Sequence, residues 1–169
     1  MNSIENYGLD ELLLVGIKSE IEAEATYMKV AENVKNPFLK ERLEFLAKEE
    51  GKHRAFLENL FKERYPGRRI ELPEKSGIAL PEIRLYGEDG TMRDVLVVLD
   101  DAMEAEKGAY EFYNSLAERF TDEKMRKIVK HLALMEMDHF QILEMERRDL
   151  AEVGDIMEDA SYFQMDGQY

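Results

Sequence analysis

The 169-residue sequence contains no cysteine, and this absence excludes several classes of site at once. A chain without thiols forms no disulfide, no thiolate zinc site, no cysteine-held iron–sulfur cluster and no four-cysteine iron site. Any metal that the chain binds must therefore be held by oxygen and nitrogen ligands.

Long apolar runs are also scarce, and the 23 lysines and arginines are outnumbered by 37 acidic residues. The apolar run from Leu12 to Ile17 is far shorter than the ~20 residues of a membrane-spanning helix, and no basic segment resembling a secretory signal precedes it. We therefore expect a soluble cytoplasmic protein with no membrane partner. The formal net charge of -14 repels phosphate backbones, so a nucleic-acid partner is not expected.

Proline is rare, and three of the four prolines lie between residues 65 and 90, where no helical period is visible. Elsewhere, apolar residues spaced by threes and fours predict four helices. The expected fold is all-α: one domain over 1–169, in which two antiparallel helix pairs form a four-helix bundle. Its parts are a helix pair at 9–64, a long crossover at 65–90, a second helix pair at 91–153 and a C-terminal tail at 154–169. Thr91 is the expected cap of the third helix and Thr121-Asp122 of the fourth, and the tail is expected to dock through Tyr162 and Phe163.

Six polar residues stand at inward positions of these apolar stripes. Burying several carboxylates in one core is unfavourable without compensating positive charge. Four carboxylates and two neutral imidazoles around two divalent cations sum to zero formal charge, so the pattern predicts a site for two metal ions. The predicted ligands are Glu20, Glu50, His53, Glu106, Glu136 and His139.

An internal repeat supports this prediction. The pattern Glu20-x-x-Ala23-x-x-x-Tyr27 recurs 86 residues later as Glu106-x-x-Ala109-x-x-x-Tyr113, and the same offset maps Glu50-x-x-His53 onto Glu136-x-x-His139. The repeat indicates a duplicated helix pair that brings equivalent ligands to a shared centre. Four other residues lie outside the ligand set. Glu24 flanks the site, and His131 is interpreted as structural. The tyrosines of the repeat, Tyr27 and Tyr113, are positioned to hydrogen-bond ligating carboxylates.

With these motifs in hand, residues 9–152 resemble the rubrerythrin branch of the ferritin-like di-iron proteins. The resemblance implies that Glu50 and Glu136 bridge the two metals, that Glu20 and Glu106 are terminal carboxylates, and that His53 and His139 each bind one metal. It also matches Tyr27 and Tyr113 to tyrosines that support the carboxylates. Rubrerythrins carry a further glutamate on the third helix, and Ala109 occupies that place here.

The resemblance and the donor set together predict a di-iron oxidoreductase that reduces hydrogen peroxide or dioxygen, with Glu20, Glu50, Glu106 and Glu136 at the reacting centre. Manganese or zinc are possible occupants in place of the two iron ions. Because the chain lacks cysteine, we expect a separate electron donor such as a rubredoxin, and we expect a homodimer. The alternatives are a ferroxidase or iron-storage protein, a metal-free helical interaction module, and a substrate oxygenase with a pocket beside the metals.

Overall fold

A computed structural model describes residues 7–76 and 92–165, with side chains described within 7–76 and 95–152. These residues form the helices α1 (Leu9–Asn33), α2 (Pro37–Arg64), α3 (Met92–Glu118) and α4 (Glu123–Met165). The described part of the chain contains no strand. None of its helices combines the length and the apolar character that crossing a membrane requires.

Two of the helix starts are encoded by local capping residues. The Asn36 side chain accepts a hydrogen bond from the Leu39 N–H at 2.9 Å, and Pro37 occupies the first turn, where its missing N–H costs nothing. Asp122 accepts from the Lys124 N–H at 2.8 Å in front of α4. The predicted start of the fourth helix at this residue is therefore confirmed.

Ion pairs show that each pair of helices runs antiparallel. In the first pair, Arg68 just beyond the end of α2 contacts Asp10 at the start of α1 at 2.7 Å. In the second pair, Lys130 near the start of α4 contacts Glu118 at the end of α3 at 2.7 Å. The packing of α1 on α2 and of α3 on α4 confirms the expected all-α, ferritin-like four-helix bundle.

The connection after α2 begins with a tight turn. Pro66 and Gly67 occupy its second and third positions, Gly67 has a φ of +85°, and the Arg68 N–H donates to the Tyr65 carbonyl at 3.1 Å. These features are typical of a type II turn, whose third residue needs positive φ and therefore favours glycine. Residues 77–90 of the predicted crossover and the proposed cap Thr91 lie outside the described residues.

The fourth helix is longer than predicted. We expected it to end near residue 153, but α4 continues through Gly154 to Met165. A glycine within a helix costs only about 1 kcal/mol relative to alanine, and the residues that follow Gly154 include strong helix formers. The side chains of Tyr162 and Phe163, which we expected to dock a tail, lie outside the described residues.

Two hydrophobic clusters fill the two ends of the bundle and leave a polar layer between them. One cluster contains Leu13, Ile17, Leu57, Phe61, Leu116, Phe120 and Leu132. The other contains Leu39, Leu43, Leu46, Val95, Leu99 and Leu143. On every helix the predicted metal-binding residues fall between these two sets, so the apolar packing on both sides holds the four helices in register around the polar layer.

We predict that Leu43→Ala lowers the free energy of unfolding by about 2–5 kcal/mol, because Leu43 is fully buried and the smaller side chain leaves a cavity. Urea unfolding in the presence of a chelator measures the effect. Leu134→Ala on the exposed side of α4 is the control, with an expected change within about 0.5 kcal/mol. Equal losses in the two variants would contradict the described core.

Candidate metal centre

The structure brings all six predicted residues into one buried layer at the centre of the bundle. Each helix contributes at least one of them, and each is at most 5% exposed. Such burial is unusual for four carboxylates, since ionised groups stay in water unless they are paired. The residues of this layer are Glu20 from α1, Glu50 and His53 from α2, Glu106 from α3, and Glu136 and His139 from α4.

Within this layer the donor atoms form two overlapping groups. The first group contains Glu20, Glu50, His53 and Glu136, and the second contains Glu50, Glu106, Glu136 and His139. In each group the four donor atoms lie within 4.8 Å of one another. Glu50 and Glu136 belong to both groups, which is the arrangement that two adjacent cations sharing two carboxylates would require.

The two imidazoles lie close together on opposite halves of the layer. The His53 and His139 rings stack with centroids 5.4 Å apart and an angle of 18° between their planes. Nδ1 of His53 faces carboxylate oxygens of Glu136 at 2.9 Å and Glu50 at 3.2 Å. Nδ1 of His139 faces Glu106 at 3.5 Å. Both rings therefore present Nδ1 to the carboxylates.

Several buried atoms of this layer lack a hydrogen-bond partner among the described residues. They are Nε2 of His53, Nδ1 of His139 and both carboxylate oxygens of Glu136, whose close approach to His53 lacks the angle of a hydrogen bond. An unpartnered buried polar atom costs about 1–3 kcal/mol, so these positions favour an additional binding partner. Carboxylate oxygen and imidazole nitrogen are ligands of iron, manganese and zinc, and the residues present therefore fit a pair of such ions.

Mutual repulsion and burial disturb the protonation of the carboxylates in the metal-free protein. Burial, together with the charges of Glu50 and Glu136, raises the pKa of Glu20 well above its usual range. Burial and the charge of Glu50 raise the pKa of Glu106 to about 8. Burial alone would also raise the pKa of Glu136, but close contact with both imidazoles outweighs it and lowers that pKa to about 2.

The imidazoles are shifted towards the protonated form. Burial opposes the charged ring of His53, but contact with Glu136 and Glu50 outweighs it and raises the pKa of His53 to about 9. Burial likewise opposes protonation of His139, while Glu106 and Glu136 raise its pKa to about 10. At neutral pH the metal-free layer therefore holds protons in place of cations.

The two tyrosines of the repeat each bond a glutamate of the opposite half. The Tyr27 hydroxyl on α1 donates to Oε1 of Glu106 on α3 at 2.6 Å. The Tyr113 hydroxyl on α3 donates to Oε1 of Glu20 on α1. Both phenols are almost fully buried. This exchange ties α1 to α3 at the level of the polar layer and orients the two carboxylates.

The chain matches a known protein family and known solved structures over most of its length. The family model described as Rubrerythrin matches residues 11–147. The chain belongs to the rubrerythrin family. Among solved structures, a hypothetical protein from Pyrococcus furiosus is 34% identical with a TM-score of 0.76, and the match covers 89% of this chain and 94% of that one. A comparison with curated proteins found no match.

A further structural neighbour is more distant. KatB, a manganese catalase from Anabaena PCC7120, has a TM-score of 0.65 at 22% identity, with 89% of this chain and 78% of that one covered. At this identity the likeness shows a shared fold. Family membership and the carboxylate–imidazole layer together support a di-metal carboxylate oxidoreductase as the general class.

Glu24, which we expected to flank the centre, His131, which we interpreted as structural, and Ala109 occupy different environments. The Glu24 carboxylate points to Arg54, 2.8 Å away, and lies beside Gly51 of α2. His131 is exposed on α4. Ala109, where rubrerythrins carry a further glutamate, lines a small cavity beside the layer.

That cavity contains residues which the sequence analysis did not single out. Ser19 and Ala105 line it together with Ala23 and Ala109, and the internal repeat pairs Ser19 with Ala105. The internal repeat, which pairs these two small residues 86 positions apart, was the available signal. Small residues carry no hydrophobic or ligand pattern, and the helix period alone therefore does not mark them.

We predict that metal binding releases protons at pH 7 and that apparent affinity increases as pH rises towards 9, because the cations must displace protons from His53, His139 and Glu106. The raised pKa values favour the folded metal-free protein below the ordinary pKa of each group, and that stabilisation is lost as pH rises through about 8 to 10. Calorimetric titration with Zn²⁺ in two buffers of different ionisation enthalpy measures the release. Identical heats in both buffers at pH 7 would exclude it.

We predict that Tyr113→Phe weakens metal binding by about tenfold, because Glu20 loses the hydrogen bond that orients it. Tyr27→Phe should have a similar effect through Glu106. Competition with a chelator of known affinity measures the change. Tyr110→Phe on the same helix is the matched control, and an equal loss in that variant would point to general packing rather than to the carboxylate contact.

Proposed function

We propose that this protein is a di-iron oxidoreductase that reduces hydrogen peroxide or dioxygen and is re-reduced by an external electron donor. The observation that carries the proposal is the pair of four-residue donor groups sharing Glu50 and Glu136. When bound, two ferrous ions supply the two electrons that convert hydrogen peroxide and two protons into two molecules of water. Membership of the rubrerythrin family supports the proposal.

Each half of the layer has a defined part in this proposal. Glu20 and His53 would hold one ion, and Glu106 and His139 would hold the other, with the shared carboxylates of Glu50 and Glu136 between them. Four carboxylates balance the charge of two divalent ions and stabilise the ferric state more than the ferrous state. The buried phenols of Tyr27 and Tyr113 would keep the terminal carboxylates oriented during the change of oxidation state.

The size of the cavity beside the polar layer favours a small oxidant. The cavity lies against Glu20, Glu50, Glu106 and Tyr27 and has a volume of about 10 Å³. A cavity of about 10–15 Å³ has room for roughly one water molecule. Peroxide and dioxygen are close to this size, whereas an organic substrate would require the helices to separate. The cavity therefore favours reduction of a small oxidant over oxygenation of an organic molecule on this face.

The electrons must return from outside the metal centre. The chain has no cysteine for an iron–sulfur or four-cysteine iron site, so we propose a separate donor protein such as a rubredoxin. We also propose that the protein acts as a homodimer.

Two arms of the experiment below separate this function from its alternatives. Peroxide disproportionation needs no electron donor, and iron storage takes up far more than two ions.

The proposed function predicts that anaerobically loaded protein binds two Fe(II) per chain and that hydrogen peroxide oxidises both ions faster than dioxygen does. Stopped-flow absorbance on parallel mixing measures the two rates, and a reduced rubredoxin then tests for turnover. Loaded protein that reacts with neither oxidant would reject the proposal. Oxygen evolution without a donor, in manganese-loaded protein, would indicate a catalase instead, and uptake far beyond two irons would indicate storage.

Matched variants assign the result to the centre. Glu136→Gln removes one shared anion and is expected to lower the bound metal to one ion or fewer per chain, with loss of fast oxidation. Glu24→Gln is the control, because this carboxylate pairs with Arg54 rather than with the donor groups. Normal metal content and normal oxidation rates in both variants would remove the shared carboxylate from the mechanism.

A further inference from the structure

The small cavity beside the polar layer is lined by one hydroxyl group that has no assigned part in the metal centre. This hydroxyl belongs to Ser19 of α1. Three of the predicted metal ligands, Glu20, Glu50 and Glu106, form part of the same lining. A molecule in the cavity therefore lies against both the Ser19 hydroxyl and carboxylates that would hold the ions.

The Ser19 hydroxyl is buried and lacks a partner. The residue is only 4% exposed, and its side chain makes no hydrogen bond with another described residue. On the same helix, by contrast, the Thr26 hydroxyl donates to the Glu22 carbonyl at 2.7 Å. The Ser19 oxygen is not among the fully buried unpartnered atoms of the described residues, so it retains a little accessible surface beside the cavity that it lines. An occupant that accepts a hydrogen bond from Ser19 would satisfy this hydroxyl.

The other polar groups of the cavity are not available as hydrogen-bond donors. The Tyr27 hydroxyl already donates to Glu106 at 2.6 Å, and Glu20 accepts from Tyr113. Carboxylates that bind cations are ionised, and an ionised carboxylate has no proton to donate. Once metal is bound, Ser19 is therefore the one free side-chain donor among the described residues that line the cavity.

The internal repeat shows that this hydroxyl is specific to one half of the bundle. Ser19 is paired with Ala105, and both residues line the cavity. Every other lining residue has the same residue type at its repeat partner, in the pairs Glu20 and Glu106, Ala23 and Ala109, Tyr27 and Tyr113, and Glu50 and Glu136. The difference between the two halves at this cavity is thus a hydroxyl on α1 and a methyl group on α3.

The two candidate oxidants differ in their response to such a donor. Both oxygens of hydrogen peroxide carry polar O–H bonds and accept hydrogen bonds as water does, whereas dioxygen is nonpolar and accepts them weakly. The cavity volume of about 10 Å³ keeps a molecule within it close to every lining group. A hydroxyl in this position therefore stabilises bound peroxide more than bound dioxygen.

We propose that the Ser19 hydroxyl donates a hydrogen bond to hydrogen peroxide in this cavity and makes the centre selective for peroxide over dioxygen. The inference rests on the di-metal function proposed above. Ser19 contacts the oxidant and is not a metal ligand, so its removal is expected to change selectivity without changing metal content.

The first test measures anion binding without turnover. Fluoride is the probe because it binds hard cations and accepts strong hydrogen bonds, and Co(II) replaces iron because its visible absorbance changes with its ligands. Ser19→Ala is expected to weaken fluoride binding about tenfold, as one hydrogen bond to a charged acceptor is lost. Ser115→Ala removes an exposed serine of α3 and is the matched control. Equal fluoride affinity in Ser19→Ala and wild type, or no fluoride binding to the wild type, would overturn the proposal.

The second test compares the two oxidants by stopped-flow absorbance of iron-loaded protein. Ser19→Ala is expected to lower the rate of oxidation by hydrogen peroxide about tenfold and to leave the rate with dioxygen nearly unchanged. If Ser19 served only to pack α1 against its neighbours, its loss would change both rates by the same factor. That outcome, or two unchanged rates, would contradict the proposed hydrogen bond.

A double variant separates the loss of the hydroxyl from damage to the cavity. Ser19→Ala combined with Ala105→Ser moves the hydroxyl to the paired position on α3, which lines the same cavity. We expect this variant to recover most of the fluoride affinity and most of the selectivity for peroxide. Folded double variant with two ions per chain and no recovery would assign the loss to packing around Ser19 and reject the role of the hydroxyl.

Metal analysis separates this inference from the proposed function. Wild-type protein that binds two ions and reacts with peroxide, with Ser19→Ala indistinguishable from it, rejects the role of Ser19 alone. Protein that binds no metal, or loaded protein that reacts with neither oxidant, rejects the di-metal function and the role of Ser19 with it.

Discussion

Burial of four carboxylates in one layer is the constraint on which the rest of the structure depends. Like charges at this separation repel strongly in a low-dielectric core, and the layer is stable only when protons or cations compensate them. In the metal-free protein the raised pKa values of Glu20, Glu106 and both histidines provide this compensation with protons. The same residues become a ligand set when cations replace those protons. Protonation and metal binding are thus two ways of compensating the same buried negative charge.

The duplicated helix pair supplies equivalent residues to the polar layer from both halves of the bundle. Each half contributes one glutamate from its first helix and one Glu-x-x-His motif from its second, and each half also donates a tyrosine hydroxyl to the other half's glutamate. The exchange matters because it adds polar contacts between α1 and α3 to the hydrophobic cluster that these helices share. Hydrophobic clusters above and below then exclude water, which strengthens every polar contact between them.

The two halves of the repeat have equivalent residues in the polar layer but different residues on the outer surface. Around His139, the Phe45 ring packs edge-on against the imidazole, and Arg42 forms an ion pair with Glu146 nearby in sequence on the same two helices. Around His53, different residues occupy the equivalent positions, and an apolar groove lies between α2 and α4. Core positions of the repeat are held by the requirement for equivalent ligands, whereas surface positions carry no such requirement and are free to diverge. A duplicated fold can in this way keep one equivalent set of buried polar residues while its two outer faces differ.

The sequence by itself determined the four helices, the repeat and the six residues of the polar layer, because helical periodicity states which residues share a face and misplaced polar residues are conspicuous on an apolar face. It did not determine the end of α4, since glycine is a weak stop signal without a following proline. Only the tertiary structure decided which tyrosine bonds which glutamate, that Glu24 turns to Arg54, and that an open groove lies beside His53. The physical reason is that a period identifies a face, whereas the neighbours of that face follow from how the helices pack together.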